Sequence, residues 1–223
     1  FEMVDAKPKF GYWGIRGLGN FGRLVLTAAG VDFEDKRYAS KEEWFDTDKK
    51  ALDHEAPNLP YLTFEGVTIT EHDSICRAVA FKYAKALLGK TVQEMALVEN
   101  YFTIVAKANP KFRGTAFKQP AATPDEHKAA LEEIKAQVTT IDTRLGKGKW
   151  IASENVSIAD IYFWEMLQGM KLHHAEWTSQ FKNFERFEQD FEAQEWFQKG
   201  KEADKFVIKP MYPPGMATIN NIC

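Results

Sequence analysis

The sequence predicts a protein with two halves, a mixed α/β half followed by an all-helical (all-α) half. Up to about Leu88 the chain alternates between strand-like and helix-like segments, whereas from Thr91 onward apolar residues recur at helical spacing. The order of elements in the first half, β-α-β and then β-β-α, describes a small mixed sheet with helices packed against it. We place the division near Gly89, which gives predicted domains of residues 1–88 and 89–223.

Each element of the first half has a local reason. Residues 9–13 are strand-like, and residues 21–29 carry apolar side chains at helical spacing until Gly30 ends the helix. Residues 31–38 alternate between apolar and polar, as in a half-buried strand. The remaining predictions are two short strands at 61–64 and 67–70 flanking the turn Glu65-Gly66, and a helix over 73–83.

The second half is predicted to be helical because its apolar residues line helix faces. Pro120 and Pro124 bracket a loop between the first two helices. The segment Ser157-Ile158-Ala159-Asp160 predicts a helix N-cap with a carboxylate at the third position, which opens a helix over 161–172. The tail, residues 206–223, is rich in proline and is expected to be extended. The apolar residues on the first helix face are Met95, Val98, Tyr101, Phe102 and Val105, and those on the second are Leu131, Ile134, Val138, Ile141 and Leu145. The residues of the tail that disfavour a helix are Pro210, Pro213, Pro214 and Gly215.

Composition excludes several classes of protein. The 223 residues are 44% hydrophobic and 27% charged, values typical of a globular domain and not of a disordered chain. A formal net charge of −3 provides no cationic field, so nucleic acid and anionic lipid are not expected partners. No apolar run approaches the length of a membrane span, and the N-terminus lacks the features of a secretory signal.

The cysteines bear on the compartment. Cys76 and Cys223 are too few for a disulfide framework and fit a reducing environment, so we expect a cytoplasmic protein. Phe1 is not an initiator methionine, which leaves two alternatives: a mitochondrial protein whose presequence has been removed, or an incomplete chain. Cys76 lies in a predicted helix and is expected to be a small buried hydrophobe, not a nucleophile.

Leu59-Pro60 stands at the start of a predicted strand. A cis peptide at such a position would direct main-chain groups outward, where a peptide-like ligand could pair with them. The alternative is an ordinary trans proline at the beginning of an edge strand, since only about 5–6% of X-Pro bonds in folded proteins are cis.

Gly17-Leu18-Gly19-Asn20-Phe21-Gly22 matches the dinucleotide-binding pattern G-x-G-x-x-G and precedes a helix. Two features argue against a nicotinamide cofactor. Gly14-Ile15-Arg16 separates the strand from the first glycine, and no strands beyond Thr70 are predicted that could complete a parallel sheet.

Several separated motifs carry a resemblance to a known family. They are the segment from Phe10 to Leu18 (FGYWGIRGL), Arg23-Leu24, the segment from Pro57 to Leu62 (PNLPYL), Ile69-Thr70 and Ser157-Ile158-Ala159-Asp160. In this order and at these intervals they resemble the cytosolic glutathione transferases, with the mu class nearest and the sigma class second. The resemblance covers about residues 9–205. It implies a thioredoxin-like N-terminal domain, a helical C-terminal domain, a homodimer or a subunit of a larger complex, glutathione as co-substrate, a small apolar electrophile, and no metal.

The resemblance also implies roles for individual residues. Tyr12 would donate a hydrogen bond to the glutathione sulfur, which favours thiolate over thiol. A free thiol with a pKa of about 8.5 is mostly protonated at neutral pH, and lowering that pKa by roughly two units would ionise most of it. The glutathione site would comprise Trp13, Leu18, Trp44, Lys49, Asn58, Leu59, Pro60, Glu71, His72 and, from the neighbouring subunit, Glu99; the electrophile pocket would be lined by Phe102, Val105, Met211 and Tyr212.

The chain departs from the mu-class pattern at several positions. Glu71-His72 replaces a glutamine and a serine, and the imidazole is expected either to substitute for the serine hydroxyl or to block the pocket. Ala56 replaces a phenylalanine that some members insert into the partner subunit, and Trp44 lies one place before the family position, where Phe45 stands. Two hypotheses follow: an active transferase, with a sigma-like isomerase as a variant, or a non-catalytic subunit of the same fold with a structural or interaction role.

His173-His174 raises the question of a metal site. Adjacent residues on a regular helix point about 100° apart and do not readily chelate one ion. We therefore predict that these two histidines bind no metal.

Overall fold

The computed structural model describes residues 6–118 and 120–213. Its first half contains a four-stranded sheet with the strand order β2-β1-β3-β4. Strand β1 pairs in parallel with β2 and antiparallel with β3, and β3 pairs antiparallel with β4. This mixed sheet with helices against it is the predicted thioredoxin-like domain. The strands are β1 (Lys9–Trp13), β2 (Glu34–Tyr38), β3 (Tyr61–Phe64) and β4 (Val67–Thr70).

Helices α1 (Gly19–Ala28) and α3 (His72–Tyr83) pack against each other beside the sheet. The apolar periodicity of α1 places Leu24 in the core, where Phe10 of β1 and Leu62 of β3 are also fully buried. A π-helical segment, Glu43–Asp48, runs into a short α2, Lys49–Ala51. No sequence pattern predicted this helical connection, because its charged composition obscures the periodicity.

The second half is a bundle in which α4 (Val92–Arg113) packs against both α5 (Pro124–Leu145) and α6 (Ile158–Thr178). α5 opens on a capping box between Thr123 and Glu126. The predicted N-terminus of α6 is confirmed: the buried Asp160 carboxylate accepts hydrogen bonds from the amides of Ser157 (2.9 Å) and Ile151 (2.8 Å). The helices are α4 (Val92–Arg113), α5 (Pro124–Leu145), α6 (Ile158–Thr178), α7 (Phe184–Glu192) and α8 (Glu195–Glu202), with 3-10 turns at Lys85–Leu88 and Gly114–Phe117.

The tail is extended as far as the described residues reach. The Lys209-Pro210 peptide bond is cis, and the carbonyls of Pro210 and Met211 each accept a hydrogen bond of 2.9 Å from the loop after β1, from the amides of Arg16 and Gly17 respectively. The tail is thereby attached to the first half of the chain. Pro214, Gly215 and Cys223 lie outside the described residues.

None of the helices formed by the described residues combines the length and the hydropathy that crossing a membrane requires.

Candidate active site

Tyr12 lies next to the end of β1, and its hydroxyl oxygen accepts a hydrogen bond of 3.1 Å from the amide of Leu18. The side chain is 7% exposed. Burial raises the pKa of Tyr12 above its ordinary value, while the Leu18 amide and the cations Arg113 and Arg23 act in the opposite direction. The hydroxyl is therefore protonated at neutral pH. Its proton has no acceptor within the described part of the chain.

Glycines hold the loop after β1 close to Tyr12. Gly17 has a φ of +45°, and a Cβ added there would lie 2.7 Å from the Tyr12 hydroxyl oxygen. At Gly19 an added Cβ would lie 2.3 Å from the tyrosine ring. Arg113, at the end of α4, donates a hydrogen bond of 3.3 Å to the carbonyl of Gly17. The close approach of backbone to phenol explains two of the glycines that suggested a dinucleotide site.

The Leu59-Pro60 peptide bond is cis. Pro60 is buried, and the pairing of β3 with its neighbours begins only at the following residue, Tyr61. The main chain of Leu59 therefore lies outside the ladders of the sheet. Its amide and carbonyl take no part in the pairing of β3 with β1 or β4.

Glu71 joins β4 to α3 with a φ of +68°, an uncommon conformation for a residue other than glycine. Its side chain does not cap the helix; instead its carboxylate accepts a hydrogen bond of 3.3 Å from the amide group of Asn58. The first turn of α3 thus presents main-chain amides and the positive end of the helix dipole. Backbone strain of this kind, stored beside an uncapped helix end, is a common feature of ligand sites.

The His72 side chain points from the start of α3 toward the second half of the chain. Its Nε2 lies 2.7 Å from the hydroxyl of Tyr162 on α6, and its ring lies 5.3 Å from that of Phe21. Burial lowers the pKa of His72, against the charges of Asp73 and Glu71, which raise it. The imidazole is neutral and takes part in the contact between the halves.

Trp13, the last residue of β1, meets two side chains of the helical connection, Phe45 and Lys49. The ring of Phe45 lies 6.3 Å from that of Trp13, and Lys49 Nζ lies 5.4 Å from the Phe45 ring centroid. Phe45 is 46% exposed. Trp44, which the sequence placed in the site, is only 2% exposed and stacks on Tyr61, because its position on the π-helical segment faces the sheet.

Glu99 lies in an ion pair within its own chain, and the four residues predicted to line the electrophile pocket are buried. The Glu99 carboxylate is paired with Arg77 of the same chain, at 2.6 Å, and accepts a further bond from Thr103. The four pocket positions are buried in packing contacts, not arranged around an open cavity, because the α4 residues face α6 and the tail residues pack on Ala116. Their exposed fractions are 0% for Phe102, 1% for Val105, 2% for Met211 and 0% for Tyr212.

Two contributors to this site were missed from the sequence. For Phe45 the signal that could have found it is its place at the family position, one residue after Trp44. Arg113 carried no signal, since a basic residue in the last turn of a helix is common for electrostatic reasons alone.

A mixed four-stranded sheet with the order β2-β1-β3-β4, followed by a helical bundle, defines a two-domain protein of the thioredoxin-like class. Comparison with known proteins gives the family. The N-terminal domain model of glutathione S-transferases matches residues 8–80, and the C-terminal domain model matches residues 110–199. The chain belongs to the glutathione S-transferase family.

Individual relatives agree with this assignment. Glutathione S-transferase Mu 3 of Macaca fuscata fuscata and that of Homo sapiens are each 30% identical over 217 residues, covering 93% of both chains. A glutathione S-transferase of Tyrophagus putrescentiae is 29% identical over 85% of this chain and 87% of its own. Among solved structures, the glutathione S-transferase Blo t 8 superposes with a TM-score of 0.76 over 95% of this chain and 99% of that one; at 22% identity this likeness concerns the fold alone.

Proposed function

We propose that this protein activates the thiol of glutathione for attack on small apolar electrophiles. The observation that carries the proposal is the state of the Tyr12 hydroxyl. Burial keeps it protonated, and its oxygen accepts a hydrogen bond from the Leu18 amide. The hydroxyl proton can therefore be donated to a ligand. A donor directed at sulfur stabilises the thiolate. Lowering a thiol pKa by roughly two units corresponds to about 2.7 kcal/mol.

The remaining groups suit a tripeptide with two carboxylates and one ammonium group. The main chain of Leu59, which lies outside the ladders of the sheet, would pair with the cysteinyl part. The uncapped first turn of α3 would bind the γ-glutamyl carboxylate, with the Glu71 side chain near the ammonium group. Because the His72 ring is bonded to Tyr162, that helix end is left to the ligand.

The glycyl end of the tripeptide would lie beside Trp13, Phe45 and Lys49. Lys49 supplies a cation for the terminal carboxylate, and the two rings supply apolar contact. Phe45 takes the role that the sequence assigned to Trp44. We further propose that residues 1–88 form the glutathione-binding domain and residues 89–223 the helical domain; a cytoplasmic location stays a prediction.

A homodimer is the expected assembly. Phe81 on α3 is 66% exposed and borders an open hollow shared with Arg77, Leu88 and Glu99. Ala78, Phe81 and Leu88 line this hollow together, and an apolar patch of this kind beside an ion pair suits a surface that meets a partner. In this arrangement Glu99 would pair with Arg77 of its own chain and would not contact the glutathione bound to a neighbouring subunit.

The test combines binding and turnover. We expect the wild type to be retained on immobilised glutathione and to conjugate a chromogenic aromatic electrophile. Tyr12→Phe should still be retained, because the other contacts persist, but should lose roughly 100-fold in kcat/KM, the usual cost of removing a donor to a developing anion. The thiolate absorbance of bound glutathione should disappear. Tyr101→Phe, a partly buried tyrosine on α4, is the matched control and should behave as the wild type.

The second candidate is a non-catalytic subunit of the same fold. Ala56 and the intrachain pairing of Glu99 favour it, since both remove contacts that complete a mu-class site. Failure of the wild type to be retained on glutathione would support this candidate. Retention with equal turnover by wild type and Tyr12→Phe would contradict the role of Tyr12 while leaving glutathione binding intact.

A further inference from the structure

Three of the five histidines of the chain meet where α5 and α6 pack together. They are His127, in the first turns of α5, and His173 and His174, in the last part of α6. One ring nitrogen from each residue lies within 4.8 Å of the other two. Nothing in the proposed glutathione chemistry uses this cluster.

His173 and His174 can both point toward His127 because the regular geometry of α6 is interrupted at His174. His174 has φ −153° and ψ 71°, far from helical values. The ring centroid of His127 lies 6.0 Å from that of His173 and 5.1 Å from that of His174. The prediction that these residues bind no metal assumed a regular helix, and that assumption is wrong at this point.

Each of the three rings has a buried nitrogen with no hydrogen-bond partner among the residues that the structure describes: Nδ1 of His127, Nδ1 of His173 and Nε2 of His174. Leaving three buried polar atoms unpaired is costly, so a common partner is expected. The other nitrogen of His173 lies 2.8 Å from the Tyr212 hydroxyl. Such a bond on the far side of the ring is the usual way in which a metal-ligating imidazole is oriented.

We propose that His127, His173 and His174 bind one divalent transition-metal ion, with Zn²⁺ the best match. Three neutral imidazoles with a fourth position open are a known zinc ligand set, and imidazole also suits Cu²⁺, Ni²⁺ and Co²⁺. Nitrogen ligands at about 2.0–2.1 Å from a tetrahedral zinc ion stand roughly 3.3 Å apart, so the ring nitrogens would need to approach one another by up to about 1.5 Å.

An ion could reach the site. His173 and His174 line an open groove of about 540 Å³ that is bordered by Pro124, Lys128 and Trp177. The bound ion would join α5 to α6, and its fourth position would be available to water or to a small anionic ligand.

The experiment uses the full, untagged chain after treatment with a chelator. Titration calorimetry with Zn²⁺ at neutral pH should give one ion per chain with a Kd in the micromolar range or below. Co²⁺ should produce the intense visible absorption of a four-coordinate site. His127→Gln and His174→Gln should each weaken Zn²⁺ binding at least tenfold, and Zn²⁺ should raise the melting temperature of the wild type but not of these variants.

The matched control is His54→Gln, which removes a histidine from the other half of the chain. It should bind Zn²⁺ as the wild type does. Circular dichroism of the metal-free variants checks that they fold. The proposal is overturned if no saturable one-to-one binding is seen, or if His54→Gln weakens binding as much as the cluster variants. It is also overturned if folded cluster variants keep the wild-type affinity.

Discussion

Arg16 and Glu165 form a two-point ion pair in the interior, although 149 positions separate them in the chain. Arg16 Nε lies 3.0 Å from one carboxylate oxygen and Nη2 lies 2.7 Å from the other. The side chains are 5% and 0% exposed. Asn20 donates a further bond of 2.9 Å to Glu165 and accepts one of 2.9 Å from the Val207 amide. The network thus connects the loop after β1, α6 and the tail.

Arg16→Ala is expected to lower the free energy of unfolding by about 3–5 kcal/mol, because it leaves a buried carboxylate without its cation. Urea denaturation followed by tryptophan fluorescence measures the change. Adding Glu165→Gln should restore part of the loss, since the second change removes the uncompensated charge. Lys199→Ala, which breaks an exposed pair with Glu195, is the control and should leave the midpoint unchanged. An equal effect of the two alanine variants would contradict the argument.

Gly17→Ala is expected to lower kcat/KM because it displaces Tyr12. Its backbone has φ +45°, and the added Cβ would lie 2.7 Å from the Tyr12 hydroxyl oxygen, so the phenol must shift. We expect at least a tenfold fall in kcat/KM, in keeping with the sensitivity of catalysis to misplacements of about 1 Å. Gly30→Ala is the control for backbone strain without a steric clash. Gly30 has φ +67°, and no atom lies within 4 Å of an added Cβ. It should cost about 1 kcal/mol of stability and leave turnover unchanged.

The stability contributed by His72 should depend on pH with a definite sign. Burial lowers its folded-state pKa below the unfolded value, so the contribution is present above the unfolded pKa and is lost as pH falls through the folded pKa. His72→Gln keeps a polar partner for Tyr162 but does not titrate. The advantage of wild type over His72→Gln in free energy of unfolding should therefore shrink between pH 7.5 and pH 5. Urea denaturation of both proteins at pH 7.5 and at pH 5 measures this difference in free energy of unfolding. A difference that increases at the lower pH would refute this account.

Phe81→Asp should convert the expected dimer into a monomer, because it places a charge in the apolar surface of α3. Sedimentation equilibrium measures the mass, and circular dichroism verifies the fold. Ile208→Asp changes a residue that is also exposed, at 36%, but lies in the tail, and it should leave the assembly unchanged. A wild-type monomer would show that this surface has another purpose.

Local sequence patterns predicted most elements within a few residues. The hairpin around Glu65-Gly66 and the N-terminus of α6 at Ser157 and Asp160 are confirmed, since turn geometry and capping depend on near neighbours. The strand predicted over 31–38 begins only at Glu34, because alternation does not show where pairing starts. The glutathione-binding roles of Tyr12, Leu59 and Glu71 stay predictions, although the structure gives each a suitable conformation.

The sequence by itself determined the order of the four strands and of the helices α1, α3, α4, α5 and α6, the family, and the tyrosine on which the proposed chemistry depends. Only the tertiary structure decided where side chains turn: Trp44 into the sheet, His72 toward Tyr162, and His173 and His174 toward His127 at the break in α6. The reason is that periodicity and capping involve residues within one or two turns. The partner of a buried polar group, in contrast, is chosen by packing between segments far apart in the chain.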